Sequence, residues 1–432
     1  MKTNKTFGIA CLILIILVFR IFLGIQINFS HEDYTQVYLI GLENAFSGKW
    51  SYWGPDVVWS QTRLPGAMLG LLAGIPLRLV KNEYAPIILS NIISCVGLVL
   101  LGFYAKKRFP DLSLYFLLSL FLLSPFTLFN GVVLLNTAYL IFSGAILFIV
   151  VFELFIYRKQ LLWNSSLYFF ALGFSLLFTY QLHLTWVMYL PFVFVLFYLE
   201  WIKNPATGWR LVAFFLLGCL VSGLTLLPTV FKYGNVIMTG SGGNISLHLK
   251  RTTRILDLFV RYFGIATIDI NQKLNYMQLF SEKSWMGFAL TWIVKLFALV
   301  QFIGICISFY FVRAIGEFRK TFLLFMLTLV MALSLYLISN KHLEIRTYIL
   351  LYPIPIWLAL FSYSYLSKYR YVRMMMYTAL VLIFITSVGV AISNFNDCYS
   401  FKSVDDKIQK AIQDENPSGF ATRRKTLMDD YD

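Results

Sequence analysis

The chain has 432 residues, of which 59% are hydrophobic, 18% aromatic and 13% charged, whereas a soluble domain carries about 25% charged residues. With 41 Phe and 26 Tyr, this composition excludes a soluble enzyme, a disordered chain and a nucleic-acid-binding domain, and points to an all-α polytopic membrane protein. The net charge of +15 does not signal nucleic acid, because Lys and Arg fall in short clusters between apolar runs, as they do where they orient membrane helices. Cys11, Cys95, Cys219, Cys306 and Cys398 are scattered and form no CxxC or Cys/His spacing, so neither a metal cage nor a disulfide framework is expected.

A spanning helix needs roughly 20 mostly apolar residues, since backbone polar groups cannot stay unpaired in lipid. Runs that qualify lie near 8–27, 85–105, 112–129, 132–156, 165–182, 184–201, 210–230, 285–312, 321–339, 347–366 and 374–393, which makes eleven predicted spans. The first has no small-residue cleavage site and is read as a retained helix. With the N-terminus in the cytoplasm, the short inner loops carry Lys106-Lys107-Arg108, Arg158-Lys159, Lys203 with Arg210, Arg313 with Arg319-Lys320, and Lys368, Arg370 and Arg373. That is the positive-inside pattern. Counting 64–80 as a further span would invert it, so that run is read as a re-entrant or interfacial helix.

The resulting organisation is a membrane domain over 1–393, with long outer loops at 28–84 and 231–284, and a polar tail over 394–432. The tail falls outside by parity and carries a short amphipathic helix near 404–412. The two halves show no matching broken helices and no internal repeat of the transporter kind.

Unusual polar residues gather on the predicted outer face. Ser30-His31-Glu32-Asp33-Tyr34 places two carboxylates just past the first span. A carboxylate there could deprotonate a hydroxyl or hold a divalent cation such as Mg or Mn, and an acidic start to a solvated helix is the plainer alternative. Next come Trp50-Ser51-Tyr52-Trp53-Gly54-Pro55, which an interfacial aromatic belt also explains, and Gln61-Thr62-Arg63-Leu64-Pro65-Gly66-Ala67, where Pro65 and Gly66 suit a turn into a half-helix. Arg63 offers a forked donor for phosphate oxygens at the lipid–water boundary. Asn136 opens the fourth span, and Gln181 and His183 interrupt the outer end of the fifth. Each of these three suits either helix–helix hydrogen bonding or a functional role. The short segment Lys341-His342-Leu343-Glu344-Ile345-Arg346-Thr347-Tyr348 puts basic residues on the face where charge bias would not.

This ordered set resembles the GT-C glycosyltransferases, most closely the bacterial relatives of the protein O-mannosyltransferase and aminoarabinose transferase group. The resemblance covers most of residues 1–365. It implies transfer of a sugar from a polyprenyl-phosphate carrier to a glycan, lipid or protein acceptor at the non-cytoplasmic face of the plasma (inner) membrane. In those terms Asp33, with Glu32 beside it, is the catalytic or metal-linked acid. Arg63, Arg346 and Lys341 meet the donor phosphate, and His31, Tyr34, Gln181, His183, His342 and Tyr348 line the substrate cavity. The family order is Asp then Glu, and here it reads Glu32-Asp33. Two rival functions stay open. A lipid-linked oligosaccharide polymerase or ligase would use Arg251, Arg254 and Arg261 of the second outer loop, and a flippase or transporter would need a path through the bilayer.

Overall fold

A computed structural model describes residues 2–27, 32–57, 62–203, 205–234, 313–338, 349–374 and 402–415, with isolated positions between them. For some of these, Glu32, Asp33 and Tyr34 included, it describes the backbone alone. The described residues are about 81% helical. Five helices among the described residues are long and apolar enough to cross a membrane, or six if one bent pair counts as a single span. The expected spans at 285–312 and 374–393 lie outside the described residues except for isolated positions, and of the expected loop 231–284 only 231–234, which complete a helix, are described.

In chain order the helices are α1 (Lys2–Ile27), α2 (Glu32–Phe46), α3 (Met68–Val80), α4 (Ala85–Arg108), α5 (Leu114–Leu123), α6 (Pro125–Val132), α7 (Leu140–Val151) and α8 (Ser165–Tyr180). They continue with α9 (Tyr189–Lys203), α10 (Pro205–Gly223), α11 (Leu227–Tyr233), α12 (Gly316–Ile338), α13 (Pro353–Leu366) and α14 (Lys402–Gln413). A hairpin of β1 (Trp53–Val57) and β2 (Thr62–Pro65) separates α2 from α3. A 3₁₀ turn at Asn136–Tyr139 enters α7, and a π-helical turn at Phe152–Ile156 ends it.

α7 is the central rod: it packs on α4, α8 and α13. α1, α5 and α6 pack beside α4, while α10 lies against α8. That last pair is close because two glycines face each other's backbone. A Cβ on Gly173 would strike the Phe215 carbonyl, and one on Gly218 the Phe170 carbonyl. Lipid offers helices no hydrophobic drive to associate, so small residues that admit close backbone contact supply the packing. The outward faces remain apolar: Leu14, Val18, Leu216, Leu217, Leu220, Leu224 and Phe231 are all exposed. A stripe of this kind suits contact with acyl chains and would be a liability in water. The chain is membrane-embedded.

The expected straight span at 112–129 is broken. α5 and α6 meet at Ser124 with a 55° bend. Pro125 has no N–H for the Phe121 carbonyl four residues back, and the Thr127 hydroxyl donates to that carbonyl instead, at 2.7 Å. The Leu122 carbonyl, released by the same break, takes Arg20 Nη1 at 2.8 Å. Arg20 Nη2 also reaches Ser94 Oγ (3.2 Å) and the Thr127 carbonyl (3.3 Å). The guanidinium is fully buried in α1, and the negative end of the α5 dipole faces it where a carboxylate would otherwise be expected.

Sidedness within the bundle is plain. Arg108 bonds Glu153, Arg158 pairs with Glu200 at 3.0 Å, and Lys320 donates to the Ile156 carbonyl at 3.2 Å. The basic loops at the ends of α4, α7, α9 and the start of α12 therefore share one end. α4 rises about 36 Å at about 1.5 Å per residue, so the 81–84 loop at its start lies at the other.

Candidate functional site

At the end opposite the basic loops, the two motifs singled out around Arg63 and Gln181 come together. The hairpin packs on α2 and α3 through β1, and its register sets Asp56 opposite Arg63 and Trp53 opposite Pro65. Gly66 follows β2 with φ +107°, a conformation open to glycine and strained for L side chains. Its missing side chain also makes room, because a Cβ there would collide with the Gln181 amide oxygen. Gly54 approaches the Gln181 carbonyl in the same way, with 3.0 Å for an added Cβ.

Gln181 is the hub of this end. It is fully buried just past α8, donates from Nε2 to the Ser222 (2.9 Å) and Leu177 (3.3 Å) carbonyls, and accepts from the Thr225 hydroxyl at 2.7 Å. The Thr225 carbonyl in turn takes the Ala67 N–H at 3.3 Å, and the Thr229 hydroxyl donates to the Tyr52 carbonyl at 2.7 Å. The Asn136 amide donates to the Leu182 carbonyl at 2.8 Å. Gln181 and Asn136 thus spend their described polar bonds on joining elements. His183 is half-buried and caps the 3₁₀ turn Leu184–Met188, where its Nδ1 accepts the Thr185 N–H at 3.2 Å. Neutral imidazole satisfies that role, since the accepting nitrogen carries no proton.

Arg63 stands half-buried on β2. Beside the hairpin, Lys232 sits 4.1 Å over the Tyr52 ring and 5.4 Å from that of Tyr233, which meets Trp53 at 5.4 Å. Phe231, just before it, is 84% exposed, so this ammonium stands at the end of the exposed apolar stripe. The backbone of Glu32, Asp33 and Tyr34 forms the first turn of α2. Their side chains, together with all of His31, Lys341, His342, Arg346 and Tyr348 and the loop's Arg251, Arg254 and Arg261, lie outside what the structure describes. Among the described residues no three His, Cys, Asp or Glu groups gather to hold a metal ion.

Three residues stand out in the structure that the motif reading passed over. Arg20 is a lone guanidinium inside an apolar run, and Glu153 a lone carboxylate inside another. Either could have been flagged, because a charge at membrane depth is costly and needs a partner. Lys232 carried no such signal: one lysine after an apolar run reads as an ordinary helix end. Comparison with protein-family models, with characterised proteins and with solved structures finds no match to this chain.

Proposed function

We propose that the chain is an integral membrane glycosyltransferase of GT-C type, moving a sugar from a polyprenyl-phosphate carrier to an acceptor on the non-cytoplasmic face. One observation carries the reading. The Arg63 hairpin is locked onto Gln181 at the end opposite the basic loops, packed against the helix that opens with Glu32 and Asp33. The positive-inside rule assigns that end to the non-cytoplasmic side. A lipid-linked donor needs its isoprenoid in the bilayer, its phosphate at the boundary and its anomeric carbon in water. The exposed apolar stripe ending at Phe231, the cations beside it and the acidic start of α2 meet these needs in that order.

In this reading the acceptor oxygen attacks the anomeric carbon and its proton passes to Asp33, with Glu32 alongside. The bond from that carbon to the phosphate oxygen breaks, and the polyprenyl phosphate leaves with the electron pair. Arg63 and Arg346, with Lys341, meet the charge as it develops. His31, Tyr34, His183, His342 and Tyr348 would line the cavity, and Gln181 would act behind them by holding the hairpin. A divalent cation, Mg or Mn, would find hard oxygen ligands in the Glu32–Asp33 pair.

The test is a transfer assay with purified protein and a panel of polyprenyl-phosphate sugars. Arg63→Ala should weaken use of the donor by about 1.5–3 kcal/mol, and Arg63→Lys should recover part of it, since a point charge cannot reproduce a forked contact. Unchanged donor kinetics in Arg63→Ala would remove Arg63 from the site. One observation favours a second reading, a flippase: the broken helix α5–α6 with Arg20 buried at the break is a feature of transport folds. Movement of labelled lipid-linked sugar between leaflets, without product, would decide for it.

A further inference from the structure

The sequence spacing Val404, Ile408, Ala411, Ile412 makes α14 amphipathic. Such a helix at a membrane surface ordinarily sinks its apolar face among lipid headgroups. This one does not. Ile408, Ala411 and Ile412 are buried in protein, and the helix packs on α2. Two polar ties flank the contact. Gln409 Nε2 donates to Glu83 Oε1 at 2.7 Å, and Lys81 Nζ pairs with Glu415 Oε1 at 2.5 Å. Glu83 is itself buried, and its carbonyl accepts the hydroxyl of Tyr38, a fully buried residue of α2. The tail therefore grips α2 directly and again through the 81–84 loop.

Among the described residues the non-glycine positions with positive φ are Lys81 (51°) and Glu415 (49°), the two partners of that ion pair. Each stands where a helix stops: the Lys81 N–H caps α3 on the Leu77 carbonyl, and the Glu415 N–H reaches the Ile412 carbonyl just past α14. A left-handed residue is a common way to end a helix, so the ion pair ties one helix end to the other. The Lys81 ammonium also holds the Glu415 carboxyl below the usual carboxylate range.

We propose that α14 is a releasable strap on the helix that bears Glu32 and Asp33: docked, it fixes α2 against α3; released, it loosens the start of the outer site. The structural half stands on the contacts above, and the consequence for activity rests on the proposed glycosyltransferase reading.

The full-length chain tests it in a background lacking the native cysteines. Glu83→Cys with Gln409→Cys should be joined by a short bis-methanethiosulfonate reagent in intact membranes. Ile408→Asp with Ile412→Asp should abolish that cross-link and speed hydrogen exchange at the α2 amides by about tenfold or more, with α8 unchanged. Should the double aspartate variant fail to fold, Glu415→Lys serves instead. It should reduce cross-linking by about twofold to fivefold, as expected for an exposed ion pair, and Lys81→Glu combined with Glu415→Lys should restore it. No cross-link in the parent pair, or α2 exchange indifferent to release, would overturn the strap. Faster α2 exchange on release with transfer rate unaffected would keep the strap and count against the catalytic role of α2.

Discussion

The two ends of the bundle are built from different materials. At the basic end, charge neutralises charge. Glu153 is fully buried; its Oε1 accepts from Arg108 and from the Tyr104 hydroxyl at 2.8 Å, and its Oε2 accepts from the Leu162 N–H and the Tyr168 hydroxyl, each at 2.8 Å. Lys106 donates to the Pro110 and Leu112 carbonyls, and Lys107 lies over Trp163. At the opposite end the framework around the hairpin is neutral, with Gln181, Asn136, Thr225 and Thr229 joining strands to helices through amides and hydroxyls, and the ions there, Glu83 and the Lys81–Glu415 pair, belong to the contact with α14. A network of ions holds shape but spends its charges doing so. A network of amides holds shape without spending charge, and the exposed Lys232 beside it stacks on the rings of Tyr52 and Tyr233.

Breaking the ionic end should cost stability and nothing else. Arg108→Met strips a buried carboxylate of its cation, which costs about 3–5 kcal/mol, read as a lower unfolding midpoint in detergent. Arg108→Met combined with Glu153→Met should return most of the loss, since replacing both partners is often close to neutral. Donor affinity should stay at the parent value throughout, and a change in it would mean that the two ends are coupled.

The acidic start of α2 should behave in the opposite way. Asp33→Asn removes a base and keeps the shape, so turnover should fall by about 10²–10⁴-fold while the unfolding midpoint and donor binding hold. Glu32→Gln is the control and should lose less. Full activity in both variants would undercut the glycosyltransferase reading altogether.

Gln181→Leu should show the mixed behaviour of a framework residue. It leaves the Thr225 hydroxyl and two buried carbonyls short of a partner, at about 1–3 kcal/mol. It also frees the hairpin, so the donor KM should rise along with the loss of stability. A fall in stability alone would make Gln181 a packing residue with no bearing on Arg63.

Most of the helices could be read from the sequence, because a stretch of about 20 apolar residues has few alternatives in lipid. α4, α8, α9 and the α10–α11 rod start or end within a few residues of the expected bounds. The break at Ser124 was legible too, in Pro125, yet the apolarity of 112–129 masked it. The hairpin was not: Trp-Gly-Pro-Asp-Val has no alternating pattern, and Gly, Pro and Asp are poor strand formers, so tertiary contacts set its shape. The meeting of Gly66 with Gln181 and of Glu83 with Gln409 joins residues 115 and 326 positions apart. Local propensity carries no information at that range; Gly66 signalled a turn without revealing what the turn makes room for.

Arg20 bears on how the protein is made. α1 is synthesised before α4, α5 and α6, and it carries a guanidinium of a kind that costs about 2.5–3.5 kcal/mol at the centre of an inserting helix. Of its acceptors, Ser94 Oγ comes with α4, while the Leu122 and Thr127 carbonyls are synthesised about a hundred residues after Arg20 and are offered only once the chain bends at Ser124. Until then α1 gains by keeping its charged side toward water or the insertion machinery. The bend between α5 and α6 is thus a docking cue for a helix made before them, and the order of synthesis is written into the membrane domain as a delayed partnership.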